Sequence, residues 1–202
     1  MKLKILFLTA FCAFVTVTMA QKAGLKGGVN FTNLYVDDVD DENMKIGFNA
    51  GAYYRGEITE NFAIQPEFLF TQKGSEIQYD GLLGGDGKYR FNLNYLEVPV
   101  LAVIKLGPVN FHAGPYLGFL VAANVKDVDD NGNINDIESL DRDDFNTLDT
   151  GIAGGIGFDF PTGILGIRYN YGFQEIGDDN NAAQATKNSK NSALQLYLGF
   201  DF

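Results

Sequence analysis

The chain has 202 residues, with 26 Asp and Glu against 15 Lys and Arg, giving a formal net charge of −11 at pH 7. That balance excludes nucleic acid as a partner, because binding a phosphate backbone needs a basic footprint. High glycine and aromatic content (Gly 24, Phe 17, Tyr 10) with no Trp suits twisted strands better than a helical bundle.

The first twenty residues read as a secretory signal for Sec-type export. Lys2 and Lys4 form a positive start, Ile5 to Val17 an apolar core, and Thr18-Met19-Ala20 a small-residue cleavage site before Gln21. The apolar core is short for a bilayer-spanning helix, which disfavours an uncleaved anchor. Cys12 is the single cysteine. Its position in the signal leaves the mature chain, 21–202, without thiol or disulfide chemistry.

The mature chain then alternates with a period of two. Segments at roughly 23–34, 46–58, 62–79, 88–106 and 109–126 read as strands, with ends uncertain by a few residues. A sixth carries Leu148, Ile152, Ile156, Phe158 and Phe160 on one face, opposite Asp149, Gly151, Ala153, Gly155, Gly157 and Asp159. In the seventh, Leu165, Ile167, Tyr169, Tyr171 and Phe173 alternate with Gly166, Arg168, Asn170 and Gly172. In the last, Leu194, Leu196, Leu198, Phe200 and Phe202 alternate with Gln195, Tyr197, Gly199 and Asp201.

The connections carry independent information. Thr59-Glu60-Asn61, Gly107-Pro108 and Pro161-Thr162 are tight turns. Residues 35–45, 80–87, 127–146 and 177–190 are long and rich in Asp, Asn and Gly. Short and long connections alternate, as in an outer-membrane barrel with short periplasmic turns and longer external loops. A water-soluble barrel or sandwich would also alternate, but with its charges outward. The expected fold is therefore an all-β, eight-stranded antiparallel up-and-down transmembrane β-barrel. Its expected setting is the bacterial outer membrane, as a monomer with both termini in the periplasm.

Several stretches resemble a known family. They are Gly24-Leu25-Lys26-Gly27-Gly28-Val29-Asn30, Gln65-Pro66-Glu67, Gln72-Lys73-Gly74, Tyr95-Leu96-Glu97-Val98-Pro99-Val100 and Gly114-Pro115-Tyr116, together with the aromatic C-terminus. In these the mature chain is similar to the PorT-like outer-membrane β-barrel proteins, abundant in Bacteroidota. The resemblance implies the barrel type more than a role, since one class of members serves protein secretion. The last strand also looks like the signal read by the barrel assembly machinery, with Phe200 and Phe202 as the aromatic pair and Gln195 upstream. Tyr197 stands where that signal often has glycine.

On the inward face the alternation places Arg55, Glu57, Glu67, Lys73, Glu97, Lys105, Asp149, Asp159, Arg168 and Asp201. Buried charges need partners. Glu67, Glu97 and Arg168 lie at comparable distances from their turns and are expected to meet near mid-barrel, with Arg55 and Lys105 in the same lumen network. Eight strands leave an interior just filled by side chains. A salt-bridge plug is therefore favoured over an ion or proton path. The only histidine, His112, follows the turn Gly107-Pro108, the wrong end for a surface hydrolase. Gly84-Gly85-Asp86-Gly87-Lys88 lacks the Ser or Thr and the spacing of a phosphate loop. The chain is read as not an enzyme.

One loop motif is sharper. Asp127 to Glu138 fits the twelve-residue calcium pattern, with Asp127, Asp129, Asn131, Asn133 and Glu138 as ligands and Gly132 at the bend. The competing reading is a solvated acidic loop, since Asp, Asn and Gly are what exposed turns contain. Asp37, Asp38, Asp40, Asp41 and Glu42 make the first loop acidic too. Ca²⁺ is the one candidate ion, and no other cofactor is expected. Partners are outer-membrane lipid and lipopolysaccharide, with the assembly machinery during biogenesis. Three roles stand open: a structural or interaction barrel, a transport or secretion component, and a lipid-modifying enzyme using Glu67 and Glu97.

Overall fold

The computed structural model describes residues 21–35, 44–79, 87–129, 134–140, 145–176 and 189–202. The signal segment lies outside these residues. Among the described residues there are ten strands: β1 (Gln21–Tyr35), β2 (Lys45–Thr59), β3 (Phe62–Lys73), β4 (Glu76–Tyr79), β5 (Gly87–Leu106), β6 (Val109–Asp129), β7 (Ile134–Leu140), β8 (Leu148–Phe160), β9 (Gly163–Glu175) and β10 (Lys190–Asp201). Every neighbouring pair is antiparallel. The first strand pairs with the last, Gly24 opposite Asp201, and β5 pairs with β6, so the sheet closes into an eight-stranded barrel. No helix occurs among the described residues.

Two strands lie beyond the eight of the wall. The expected single strand 62–79 divides at Gly74-Ser75, yet its register holds, with Lys73 opposite Leu93 and Glu76 opposite Arg90. Gly74 has φ +128°, and a Cβ there would sit 2.0 Å from the Phe91 carbonyl oxygen. The ladder thus breaks at a position that only glycine fills easily. The stretch 127–146 is not the uninterrupted loop expected from its composition. β6 continues to Asp129, and Ile134–Leu140 folds back beside it as β7. The long β5–β6 pair supplies a template that overrides the turn-rich composition. Together β4, β5, β6 and β7 form a four-stranded sheet that rises from the end of the barrel carrying the long connections.

The two faces of the wall differ as the alternation implies. Leu25, Phe68, Ile104, Phe158, Leu165 and Phe200 are each about half or more exposed, on the outside. Gln195, Asn30, Arg168 and Glu97 are 0 % exposed, on the inside. In water this arrangement would leave a continuous apolar exterior. In lipid it is the stable solution, because closure satisfies the strand edges and the apolar face meets hydrocarbon.

The ladder is interrupted at three adjacent interfaces, and each gap contains a proline. Pairing skips from Tyr53–Glu67 to Gly56–Ile64 around Pro66, from Pro66–Val100 to Leu69–Glu97 around Pro99, and from Pro99–Tyr116 to Ala102–Ala113 around Pro115. Proline has no N–H to give to a neighbouring strand, which accounts for the gaps.

Candidate functional site

The most organised polar feature is the lumen. Glu67, on β3, lies at its centre. Arg168 on β9 donates to both carboxylate oxygens through its two terminal nitrogens at 2.8 Å each, and Lys26 Nζ on β1 donates at 2.9 Å. Gln65 Nε2 adds a fourth bond at 2.7 Å. Four donors on one carboxylate, with the side chains of Glu67, Lys26 and Arg168 fully buried, meet the condition for keeping charge in a dry interior. Lys26 Nζ also lies 3.7 Å from the centre of the Tyr197 ring, whose face attracts a cation.

A second layer sits toward the long connections. Lys73 Nζ lies 2.7 Å from Glu97 and 3.0 Å from Asp149. Asn170 donates to Glu97 at 2.9 Å, and Asn191 donates to Asp149 at 3.1 Å. The Tyr116 ring lies below the same ammonium at 4.3 Å. Across the two layers three cations (Lys26, Arg168, Lys73) face three anions (Glu67, Glu97, Asp149). The central lumen is neutral by count.

Of the charges expected to meet, Glu67 and Arg168 bond directly, while Glu97 belongs to the Lys73 layer. Arg55 joins from below, donating through Nε to Gln65 at 2.6 Å and through a terminal nitrogen to Asp159 at 2.8 Å. Lys105 stands apart from this network and pairs with Glu57 near the short turns. There Lys22, Arg55, Glu57, Lys105 and Asp159 line a polar vestibule. His112 is buried between Asn110 (3.1 Å) and the Tyr197 hydroxyl (3.3 Å). Lys26 was missing from the residues picked out by sequence, although the phase of β1 puts it on the same face as Asn30. Lys45, whose Nζ donates to the Lys73 carbonyl at 3.0 Å, was hidden at a strand end beside an acidic loop.

The mouth at the long-connection end is covered by a small apolar cluster of Leu93, Tyr95, Leu120, Ala123, Phe145 and Ile176. Backbone bonds from Leu120 N to Thr147 O at 2.8 Å and from Asn146 N to Ile176 O at 2.9 Å hold the covering segments down.

The calcium-like stretch falls on the β6–β7 hairpin. Asp127 and Asp129 belong to β6, and Glu138 belongs to β7 opposite Val125. The register pairs Asp127 with Asp136. Positions 127, 129, 136 and 138 therefore share one face of the ribbon. Asn131 and Asn133 lie outside the described residues. At the C-terminus Phe200 and Phe202 are 56 % and 83 % exposed on the outer face, and the Phe202 N–H donates to the Ala23 carbonyl at 2.8 Å.

An apolar exterior, a closed antiparallel wall and a lumen filled with paired charges define a small membrane β-barrel. The family model described as "Outer membrane protein beta-barrel domain" matches residues 19–177. The chain belongs to that family, and its setting is the bacterial outer membrane. Two solved structures share the fold. Ail, the attachment invasion locus protein of Yersinia pestis, in complex with the heparin analogue sucrose octasulfate, is 16% identical over 91% of this chain and 100% of its own, with a TM-score of 0.51. Neisserial surface protein A is 13% identical over 91% of this chain and 100% of its own, with a TM-score of 0.53. No curated protein matches the sequence.

Proposed function

We propose that this protein is a non-conducting, non-enzymatic interaction barrel of the cell envelope, with short turns and termini in the periplasm and the β4–β7 sheet outside. The observation that carries this reading is the pairing of the buried lumen charges. Glu67 accepts four hydrogen bonds from Arg168, Lys26 and Gln65, so translocation of an ion would have to break a buried pair, at about 3–5 kcal/mol. The same pairing engages Glu97, held by Lys73 and Asn170, so neither carboxylate stands ready as a base. Recognition then falls to the outside, where acidic segments can take up divalent cations shared with lipopolysaccharide. Ca²⁺ as the ion rests on the twelve-residue pattern of 127–138, since the β6–β7 register sets position 138 opposite Val125 and away from 129; millimolar external calcium makes even a weak site relevant.

Planar-bilayer recording of the full mature barrel tests the closure. Only baseline current is expected. A steady open level in wild type that changes in Glu67→Gln would refute the plug. Calorimetric titration with millimolar Ca²⁺ tests the loop, with Asp127→Ala and Glu138→Ala as controls, and absence of a heat signal in wild type would remove the ion from the proposal. The PorT-like stretches, Tyr95 to Val100 above all, favour a secretion component as the second reading. Co-purification of a defined envelope complex on a tagged barrel would select it.

A further inference from the structure

The sheet of β4, β5, β6 and β7 sorts its charges by face. On β5 the even positions point outward in the wall, as the exposure of Val100 (44%) and Ile104 (52%) shows. Lys88 and Arg90 continue that phase. The register sets Arg90 opposite Glu76 on one side and opposite Lys126 on the other. Two like charges directly opposite each other across an antiparallel pair destabilise it unless an anion intervenes. Glu76, the carboxylate beside them among the described residues, is already shared, 2.9 Å from Lys88 and 2.7 Å from Arg90. Lys126 has no ion-pair partner among the described residues. Among the described residues Lys88, Arg90 and Lys126, with Lys45 also within electrostatic reach of Arg90 and Lys126, stand against Glu76 alone, a local excess of positive charge on a chain whose net charge is −11. By register Asp136, opposite position 127, belongs to the other phase of the ribbon.

The height of the patch narrows the occupant. Arg90 lies six residues beyond Leu96, the last outward apolar residue of β5. That is about 20 Å along the strand, and roughly 15 Å in height for a strand tilted as in outer-membrane barrels. Asn94 and Asn92 hold the same phase between them, both buried and paired with Gln72 and Asn124, so the apolar run of that face ends at Leu96. The patch therefore stands above the hydrocarbon, where the phosphorylated saccharide of the outer-leaflet glycolipid is reached from the side. Guanidinium and ammonium groups spaced across two strands suit tetrahedral phosphate oxygens.

We propose that Arg90, Lys126 and Lys88 form a direct docking site for the phosphate groups of lipopolysaccharide on the outer face of the β4–β7 sheet. The inference rests on the orientation given under the proposed function, and it differs in mechanism from cation bridging by the acidic segments.

The test uses the full mature barrel in phosphatidylcholine nanodiscs, titrated with deep-rough lipopolysaccharide, with its dephosphorylated form and with inorganic phosphate, each with and without EDTA. Binding of the phosphorylated glycolipid should survive EDTA. It should weaken roughly fivefold for each charge removed, hence about 25-fold in Arg90→Gln with Lys126→Gln, and similarly on dephosphorylation. Heat-modifiable gel migration and far-UV circular dichroism confirm that the variant is folded. Unchanged affinity in the folded double variant overturns the proposal. So does loss of binding in EDTA, which would assign the glycolipid to a bridging cation. Inorganic phosphate bound as tightly as the glycolipid would also overturn it, by making the site one for the free anion. None of these outcomes depends on whether the lumen conducts.

Discussion

Replacing Glu67 with Gln keeps the shape of the central side chain and removes its charge. In the wild type, Glu67 takes two bonds from Arg168 at 2.8 Å each and one from Lys26 at 2.9 Å. The variant leaves two buried cations facing a neutral amide. Breaking a buried pair from one side costs about 3–5 kcal/mol, and two stranded cations place the expected loss at the upper end. Lys26→Met should be far milder, about 1 kcal/mol, because Arg168 still holds Glu67 through both oxygens. Combining the two should recover about 1–2 kcal/mol relative to Glu67→Gln alone, within the usual range for coupled neighbours. The assay is urea unfolding of the barrel in phospholipid vesicles, followed by far-UV circular dichroism because the chain contains no Trp. A loss below about 1 kcal/mol in Glu67→Gln, with no recovery in the double variant, would show that water reaches and screens the layer. The closed-lumen reasoning would then fail.

Other consequences are local. Burial alone would raise the Glu76 carboxyl, but Arg90 and Lys88 hold it below its ordinary value of about 4.5. A depressed carboxylate stabilises the fold above its unfolded value, and the gain is lost as pH falls through the folded one. Amide exchange in β4 should therefore accelerate below about pH 4.5 while the barrel amides stay protected, and Glu76→Gln should flatten that dependence. Phe145→Ala should uncover the mouth at about 2–3 kcal/mol, less than a fully packed core site, and speed exchange of the Leu120 and Asn146 amides. Gly74→Ala should lower the folded yield on gels, since its Cβ would meet the Phe91 carbonyl at 2.0 Å.

The barrel was legible because lipid outside and a narrow lumen inside impose opposite chemistry on alternate residues. Leu194 to Phe202 shows this without reference to any other strand. The lumen charges were legible as a set and only in part as pairs. Glu67 and Arg168 are 101 residues apart, yet their similar distances from the turns put them at one height and they bond directly; the same count is too coarse to separate the neighbouring layer. Glu97 illustrates this, since the alternation places Lys73 on the inward face but its ammonium reaches Glu97 from the end of β3, one layer above Glu67. β7 was illegible for a different reason. Ile134–Leu140 carries Asn, Asp and Glu that read as loop, and it forms a strand because β6 continues far enough to pair with it. Composition describes the segment; the neighbouring ladder determines its conformation.

The three prolines make a final case where local and global preferences conflict. Pro66, Pro99 and Pro115 occupy strand interiors, and the pairing fails beside each of them at successive interfaces. In a wall facing lipid, a carbonyl without a donor has no water to turn to, so such gaps are costly. If missing donors are the cause, restoring one should stabilise the barrel. Pro99→Val returns an N–H to β5 between Val98 and Val100, with similar volume and high strand preference. A regained hydrogen bond is worth about 1 kcal/mol net. The flanking residues Val98 and Leu101 should show slower amide exchange, and the urea midpoint should rise. A fall in stability, with the variant still folded, would mean that the backbone at Pro99 is bent for a reason other than the missing donor, and that the interrupted line is a shape the barrel requires.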